Sequence, residues 1–434
     1  MESKRSEATR NRISASLKAT REKRMHQEKR VVLLKVNKST LSASDSDRLG
    51  RIFAEAKWVR NSIVALDDAH SYKYDEHKKV VHYDKDKNAI TDDITMPSVY
   101  HRGVVDAVFR DISNLAKAKA KGIEVGKLHF VKSVDSIDIK TGFVKIKGSE
   151  MISIPGFPKL RVYGLGQLKR YGDSCEFADG KLIRKPSGYY VAITVCIDKD
   201  DMPKRAKTGK AVGLDFGPSK ITTSDGEVFA YYEEETERLR FLERKLSRKK
   251  KGSTRYKRCL MQIRVEREKA YNRKKDAAKK VIVDLMERYD TVYFQDEMIA
   301  SWHASPSYSG RVQHSFVGAV KALLMGIFSG TNGKRAFCIQ RGFPTTKLCC
   351  TCGEVNSIGR FQREFYCAYC ESEEGDRDVH AAETIKKLGS AIRAQWLDEP
   401  CVEGDSSILG GVLERYRKGQ DRLMKRRLSE TAAS

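Results

Sequence analysis

The sequence lacks the long apolar runs of a membrane protein. None of its hydrophobic stretches approaches the roughly 20 residues that a membrane-spanning helix requires. Its first residues are basic and polar, without the apolar segment of a secretory signal peptide. Both absences predict a cytoplasmic protein with no membrane partner.

Acidic residues are few relative to basic ones. The 434 residues include 83 lysines and arginines against 58 aspartates and glutamates, so the net charge is +25. Enzymes that act on small molecules rarely carry such an excess. A polyanionic partner such as a nucleic acid accounts for it, because each neutralised phosphate releases counterions. The hydrophobic content of 40% suffices for buried cores, and the length predicts roughly two to four modules.

Cysteine is too sparse for a secreted disulfide scaffold, with ten residues in the chain. Four of them form two C-x-x-C pairs that are separated by fourteen residues: Cys349, Cys352, Cys367 and Cys370. Two such pairs from separate turns commonly hold a structural zinc ion, and Gly353 after the first pair permits a tight turn. The spacing therefore predicts one structural zinc in a reducing compartment. The alternative is four buried cysteines spaced in this way by chance.

The N-terminal half combines two kinds of periodicity. Apolar residues at helical spacing predict one helix from about residue 44 and another from Pro97, with a polar, loop-like segment at 72–95 between them. Short alternating runs predict strands of a compact β-barrel-like module at 31–36, 143–146, 151–154, 160–163 and 189–197. The helical pair reads as a small insert between these strands.

A different order of elements follows a basic linker at residues 204–210. It consists of a strand, a hairpin, two long helices, a strand, a helix, a strand, the cysteine pairs and a last helix. The predicted ranges are 211–217, 220–230, 238–251, 256–289, 291–295, 313–328, 335–340 and 380–388. Together with the acidic residues considered next, this order suggests an RNase H-like fold.

Three acidic residues stand at the edges of these elements. Asp215 interrupts an apolar strand, Glu297 follows a strand, and Asp378 begins a helix. Three converging carboxylates would form a hard-oxygen site for Mg²⁺, and two such ions can activate water and stabilise the leaving oxygen of a phosphodiester. Each residue also has an ordinary explanation on its own: a turn cap, a surface acid and a helix N-cap, respectively.

The two long helices carry most of the basic excess. Residues 238–280 contain nineteen lysines and arginines against four acidic residues. A charged helix face is usually only solvated, but here few acidic partners are present for pairs along the helix. The imbalance favours contact with phosphates.

Several segments carry a resemblance to a known family. Gly213-Leu-Asp-Phe-Gly217, Gln295-Asp-Glu297, Pro344-Thr-Thr-Lys-Leu-Cys349 and Asp376-Arg-Asp-Val-His-Ala-Ala382 are similar to the three RuvC segments and the zinc knuckle of the TnpB family. That family comprises insertion-sequence-associated nucleases and is ancestral to the compact type V CRISPR effectors. The match is detailed over about residues 205–390, whereas the N-terminal half is similar only in layout.

The resemblance implies an RNA-guided DNA endonuclease. Asp215, Glu297 and Asp378 would be the catalytic triad and would hold two Mg²⁺ ions; Asp296 adjoins Glu297 and is the alternative middle ligand. His380 and Thr384 stand where the family often has asparagine. The implied partners are a guide RNA and double-stranded target DNA with a short flanking motif, and the implied location is the nucleoid of a prokaryotic cell.

The resulting fold class is α/β multidomain: an RNase H-like (RuvC) domain with a zinc-knuckle insert, plus a β-barrel wedge module with a helical recognition insert. The predicted boundaries are a basic arm at 1–30, the wedge at 31–45 and 122–203, the helical insert at 46–121, the nuclease domain at 211–342 and 371–390, the knuckle at 343–370 and a basic tail at 391–434.

Three other functions remain open from the sequence. The first is a nuclease-inactive, RNA-guided DNA-binding repressor, which loss of a carboxylate would have favoured. The second is a zinc-containing accessory protein of transposition, which explains the charge and the knuckle but not the three acids. The third is a guide-free junction resolvase, which would not need the long N-terminal half. The sequence does not distinguish a monomer from a homodimer or transposon from CRISPR ownership.

Overall fold

The computed structural model describes ten stretches of the chain: residues 26–66, 68–73, 78–83, 88–172, 175–199, 206–230, 235–329, 333–359, 362–371 and 375–396. The chain divides into two compact units, Met1–Pro203 and Lys204–Ser434. Within the described stretches, no helix is both long and apolar enough to cross a membrane. The fold class is α/β, as predicted.

The first unit is built on a seven-stranded antiparallel sheet. Its strand order is β4-β8-β9-β1-β7-β6-β5. The strands are β1 (Gln27–Val36), β4 (Ser136–Ile139), β5 (Lys145–Lys147), β6 (Met151–Ile154), β7 (Phe157–Tyr163), β8 (Glu176–Lys185) and β9 (Gly188–Asp198), and a separate hairpin pairs β2 (Lys79–Tyr83) with β3 (Ala89–Asp93). Closure of this sheet into a barrel stays a prediction.

Two helices pack on this sheet and complete its core. Helix α1 (Ala43–Val64) begins at Ser42, whose side chain accepts a hydrogen bond from the Asp45 amide. Helix α2 (Ser98–Ala120) begins after Pro97, as predicted. The apolar faces of both helices and the inner face of the sheet form one buried cluster that includes Phe53 and Tyr100.

The structure corrects three predictions for this unit. Strand β1 begins at Gln27 and is paired with β9 from Gln27 to Lys35, so residues 27–30 belong to the sheet and not to a basic arm. Backbone hydrogen bonds hold a charged strand segment in a sheet as readily as an apolar one, which is why hydropathy missed it. Likewise, 72–95 contains the hairpin β2–β3, whose second strand, β3, is exposed along its whole length. Helix α1 also begins before the predicted insert boundary at residue 46.

The second unit is built on a five-stranded sheet in the order β12-β11-β10-β13-β14. The strands are β10 (Ala211–Phe216), β11 (Lys220–Thr223), β12 (Val228–Ala230), β13 (Thr291–Gln295) and β14 (Arg335–Ile339). The first three form an antiparallel meander with Gly226 at positive φ in its turn, and β10, β13 and β14 are parallel.

Helices cover this sheet and extend from it. They are α3 (Glu237–Ser247), α4 (Thr254–Arg288), α5 (Ile299–Ala304), α6 (Ser309–His314), α7 (Val317–Leu323) and α8 (Arg377–Trp396). The single helix predicted at 313–328 is wrong: a break at Ser315 separates α6 from α7, and a π-helical turn, Leu324–Phe328, follows α7. Helix α8 runs past residue 390 into the predicted tail; the rest of that tail and residues 1–25 of the predicted arm lie outside the described residues.

Two glycines allow α8 to lie directly against the sheet. A β-carbon at Gly213 in β10 would lie 1.9 Å from the carbonyl oxygen of Ala382 in α8. A β-carbon at Gly389 in α8 would lie 2.3 Å from the ring of Tyr293 in β13. Only the absence of a side chain permits either approach. The first glycine therefore brings the beginning of α8 close to the end of β10.

Candidate active site and cysteine knuckle

The fold brings two of the predicted acids to one edge of the second sheet. Asp215 lies near the end of β10, and Glu297 follows the end of β13. These strands are parallel neighbours, with Leu214 opposite Phe294, so their carboxyl ends meet at the same edge. This edge of an open α/β sheet is where ligands commonly bind. Both acids line one cavity of about 380 Å³ at that edge.

The third acid reaches the same neighbourhood from α8. Asp378 stands in the first turn of that helix, which packs on β10 at Gly213. The helix N-cap is supplied by Asp376 instead, whose carboxylate accepts hydrogen bonds from the amides of Asp378 and Val379 at 2.8 and 3.1 Å. The capping role considered for Asp378 thus belongs to Asp376, which leaves the Asp378 carboxylate for other contacts.

The pKa values reflect this convergence. Burial, together with the charges of Asp378 and Glu297, raises the pKa of Asp215 to about 7. Burial also raises the pKa of Glu297. Two negative neighbours around a buried carboxyl group are unfavourable unless a cation is present. Arg377 and Lys220 supply part of that positive charge, and the three carboxylates are oxygen donors of the kind that a divalent ion such as Mg²⁺ prefers.

Cations of the chain itself surround Asp378. Lys220, on β11, places its Nζ 2.8 Å from one carboxylate oxygen, and Arg377 lies 3.4 Å from the other. Burial opposes ionisation of Asp378, but these two contacts outweigh it and lower its pKa. Among the described residues, the ligand atoms of the three acids do not lie together within 4.8 Å, whereas those of the four cysteines do.

The neighbouring acids at the end of β13 have different surroundings. Asp296 forms ion pairs with Lys321 and with Arg341, the second at 2.8 Å, and these contacts lower its pKa. Glu297 forms no ion pair among the described residues, and its pKa is raised. Asp296 thus positions two basic side chains, which favours Glu297 as the metal-ligating residue of this pair.

A buried polar network ties this edge to the segment before the knuckle. The Gln295 side chain donates to the carbonyl of Phe343 at 3.0 Å and accepts from the Thr345 hydroxyl at 3.0 Å. Both side chains are almost fully buried, so an unmade bond here would be costly. Phe343 and the motif residue Thr345, on either side of Pro344, therefore help to hold the end of β13.

The four predicted cysteines converge as expected. The sulfur atoms of Cys349, Cys352, Cys367 and Cys370 lie within 4.8 Å of one another. Cys349 and Cys370 are 3.7 Å apart and Cys352 and Cys367 are 3.5 Å apart. Four thiol groups at this spacing fit a tetrahedral metal ion. Gly353 has a φ of +76°, which confirms its predicted turn.

Asn356 is a knuckle residue that the cysteine spacing does not reveal. Its buried side chain donates to the Cys367 sulfur at 3.4 Å and accepts from the Ala368 amide at 3.1 Å. Burial raises the pKa of Cys367, but hydrogen bonds from the Tyr369 amide and from Asn356 outweigh it and lower the pKa to about 6. These donors favour the thiolate form that a metal requires.

The basic helical pair α3–α4 presents its charge to solvent. Leu239, Leu242, Cys259 and Ile263 are buried between the two helices. Of the nineteen lysines and arginines in 238–280, seventeen are exposed. Ion pairs such as Arg238–Glu266 and Arg267–Glu243 engage only a few of them. The surface suits a polyanion.

Sequence reasoning missed the basic residues around the acids, namely Lys220, Lys321 and Arg341. Each pairs with an acid from a distant part of the chain, at 2.8 Å for Lys220–Asp378 and Arg341–Asp296. No spacing rule links such partners, because their proximity arises only from the order of strands in the sheet. The sequence offered no signal that would have found them.

Comparisons with known proteins agree with the motif analysis. The family model OrfB_IS605, described as "Probable transposase", matches residues 194–296. A curated protein of Streptomyces pristinaespiralis, named as an RNA-guided DNA endonuclease, is 28% identical over 216 residues, which are 49% of this chain and 52% of that protein. The chain thus spans about half the length of that relative.

A solved structure also aligns with most of the chain. It is a cryo-EM structure of a Cas12f1–sgRNA–target DNA complex, with a TM-score of 0.46 and 12% sequence identity, covering 79% of this chain and 83% of that chain. The family model and the curated relative confirm what the motifs indicate: the chain resembles the TnpB family.

Proposed function

We propose that this chain is an RNA-guided DNA endonuclease that binds a guide RNA, recognises a short motif flanking the target, and hydrolyses target DNA with Asp215, Glu297 and Asp378. The observation that carries the proposal is the environment of Asp215. Its pKa is raised to about 7 by burial and by the charges of Asp378 and Glu297, which come from two other elements of the fold. The name of the curated relative supports the same activity.

The three carboxylates would hold Mg²⁺, which supplies an activated water and stabilises the leaving oxygen of a phosphodiester. Asp215 and Glu297 approach from the ends of parallel strands, and Asp378 approaches from a helix that packs on β10. Lys220, which pairs with Asp378, would exchange that partner for the solvent or for a DNA phosphate once a divalent ion is held. Lys321 and Arg341 form ion pairs with Asp296 at the side of the cavity.

The remaining features supply binding and structure. The exposed basic face of α3–α4 would contact the phosphates of the guide RNA and its paired DNA. The four cysteines would hold one structural zinc, since all four ligand positions are filled by sulfur and none is left for a substrate. The zinc would therefore not take part in the hydrolysis.

The test uses the protein purified together with its RNA. Sequencing that RNA identifies the guide, and a matching double-stranded DNA carrying randomised flanks then reports cleavage and the flanking motif. We expect Mg²⁺-dependent cleavage by the parent protein and none by Asp215→Ala or Asp378→Ala, with RNA and DNA binding retained in both. Glu383→Ala removes a half-exposed carboxylate from the same helix as Asp378 and should cleave normally.

Two results would contradict the proposal. Cleavage retained in Asp215→Ala or Asp378→Ala would place the site elsewhere. Guide-dependent DNA binding without cleavage by the parent protein would indicate the repressor function instead. Elemental analysis of the same preparation should find about one zinc per chain. A folded protein without zinc would show that the knuckle does not bind zinc.

A further inference from the structure

The knuckle and the helix that carries Asp378 are joined through their backbones. Strand β15 (Glu364–Phe365), which precedes Cys367, pairs with β16 (Gly375–Asp376), which leads directly into α8. The Arg377 amide also donates to the carbonyl of Arg363 at 2.8 Å. The first turn of α8 therefore starts from a strand that the knuckle holds.

His380 adds a side-chain connection at the same place. Its ring stacks on that of Phe365, with centroids 3.4 Å apart and planes 12° from parallel. Phe365 is only 1% exposed and packs in the small core of the knuckle with Cys349 and Cys367. The Nε2 atom of His380 lies 3.1 Å from the carbonyl oxygen of Leu348, the residue before Cys349.

Thr384 repeats this connection one turn further along α8. Its hydroxyl lies 3.2 Å from the Leu348 carbonyl oxygen and 2.9 Å from that of His380. One buried carbonyl at the edge of the knuckle is therefore met by two side chains of the helix, which its two lone pairs allow. Both residues stand on the side of α8 that faces the knuckle.

We propose that His380 is a positioning residue that ties the location of Asp378 to the folded, metal-holding knuckle. This inference rests on the proposed role of Asp378 as a magnesium ligand. Asp378 and His380 share the first turn of α8, so a rigid turn transmits the position of one side chain to the other. The knuckle core holds the imidazole on one face through Phe365 and on its edge through Leu348. Thr384 supports the same contact.

A network of this kind acts on the affinity of the metal site rather than on the chemical step. Groups that orient a metal ligand without touching the metal typically contribute about 10- to 100-fold to affinity or activity. We therefore expect His380→Ala to weaken the binding of a divalent metal ion to the carboxylates about tenfold or more. Its cleavage rate at saturating Mg²⁺ should approach that of the parent protein.

The probe is Mn²⁺, titrated into the RNA-bound protein without DNA and followed by electron paramagnetic resonance. His380→Ala should show a raised Mn²⁺ dissociation constant and a raised half-saturating Mg²⁺ concentration for cleavage, with zinc still at about one per chain. His380→Phe keeps the stacking ring but loses the polar atom, so it should recover part of the loss. Glu383→Ala, on the same helix, should bind Mn²⁺ as the parent protein does.

Thr384→Val provides a second variant if His380→Ala does not fold. It keeps the shape of the side chain but removes both hydroxyl contacts, and a smaller rise in the Mn²⁺ dissociation constant is expected. Unchanged Mn²⁺ affinity in a folded His380→Ala or Thr384→Val protein would overturn the inference. A failure of the proposed function itself gives a different result: if Asp378 is not a metal ligand, Asp378→Ala binds Mn²⁺ as tightly as the parent protein.

Discussion

The cysteine knuckle and the carboxylate cluster both fit metal ions, yet they are assembled in opposite ways. The cysteines lie within one short segment, residues 349–370, and their sulfur atoms are already within 4.8 Å of one another. The carboxylates belong to a strand, a loop and a helix between Asp215 and Asp378, and no such close grouping unites them among the described residues. One site is a local structure, and the other depends on the whole sheet.

Their electrostatic surroundings differ as well. Neutral hydrogen-bond donors from nearby residues, such as Asn356 and the Thr351 amide, stabilise the sulfur atoms. At the carboxylates, the stabilising contacts come from basic side chains of distant elements, such as Lys220 on Asp378. A thiolate cluster can thus form with its metal as a closed unit, whereas the carboxylates depend on charges that the fold brings to them. The following changes separate the two sites.

The largest effect is expected from loss of the knuckle metal. Cys367→Ser removes one of four ligands, and structural zinc contributes on the order of 10 kcal/mol to small zinc-dependent folds. We expect the zinc content to fall well below that of the parent protein and residues 343–370 to become sensitive to protease. Cys259→Ser, at a cysteine buried between α3 and α4, serves as the control and should retain the zinc. Full zinc occupancy in Cys367→Ser would show that the knuckle does not hold the metal.

Gly213→Ala tests the assembly of the carboxylate cluster. The new β-carbon would lie 1.9 Å from the carbonyl oxygen of Ala382, so α8 must move away from β10. Overpacking of this kind costs about 1–3 kcal/mol or more. We expect a lowered melting temperature and loss of Mg²⁺-dependent cleavage, with the zinc content unchanged. Gly226→Ala, at an open turn of the same sheet, should leave cleavage intact, although its positive φ makes it less stable.

Glu297→Gln and Asp296→Asn form a matched pair at the end of β13. If Glu297 is the metal ligand, its neutralisation should lower the cleavage rate by more than about a hundredfold. That is the largest loss typical of residues that only orient a metal ligand, about 100-fold, and a direct ligand should exceed it. Asp296→Asn removes the ion pairs with Lys321 and Arg341 and should lower the cleavage rate by about tenfold or less. The measurement is single-turnover cleavage at saturating Mg²⁺. The reverse order of effects would assign the metal to Asp296.

The smallest effect on the carboxylate site is expected from a change at the opposite end of the parallel strands. Asp290 precedes β13, pairs with the buried Lys334 at 2.8 Å, and accepts hydrogen bonds from the amides of Thr208 and Gly209. Burial would raise the pKa of Asp290, but these partners lower it to about 2. Its stabilising contribution is therefore full above about pH 4 and is lost as the pH falls toward 2.

Asp290→Asn should lower the free energy of unfolding by about 2 kcal/mol at neutral pH, from a shift of roughly two pKa units. The difference between variant and parent should shrink as the pH falls from about 4 to 2. Denaturant unfolding at several pH values provides the measurement. Mn²⁺ affinity should be unchanged, and a large change in it would show that the two ends of the sheet are coupled.

Much of the fold could be predicted from periodicity. Strands β10 and β13 and helices α1, α2, α3 and α4 appear within a few residues of their predicted ranges, because each has apolar residues buried in one of the cores. The hairpin β2–β3 was missed because β3 is exposed throughout and the two strands carry little apolar alternation. The break at Ser315 was missed because apolar residues at helical spacing continue through it.

The sequence by itself determined the knuckle, the positive charge of α3–α4 and the positions of the candidate acids, because spacing along the chain and composition are local properties. Only the tertiary structure distinguished the members of the acidic pairs. In the folded protein, Asp376 caps the helix and Asp378 pairs with Lys220. Asp296 pairs with two basic side chains, whereas Glu297 pairs with none among the described residues. The physical reason is that a carboxylate's role depends on which charges and donors surround it, and those partners come from distant parts of the chain.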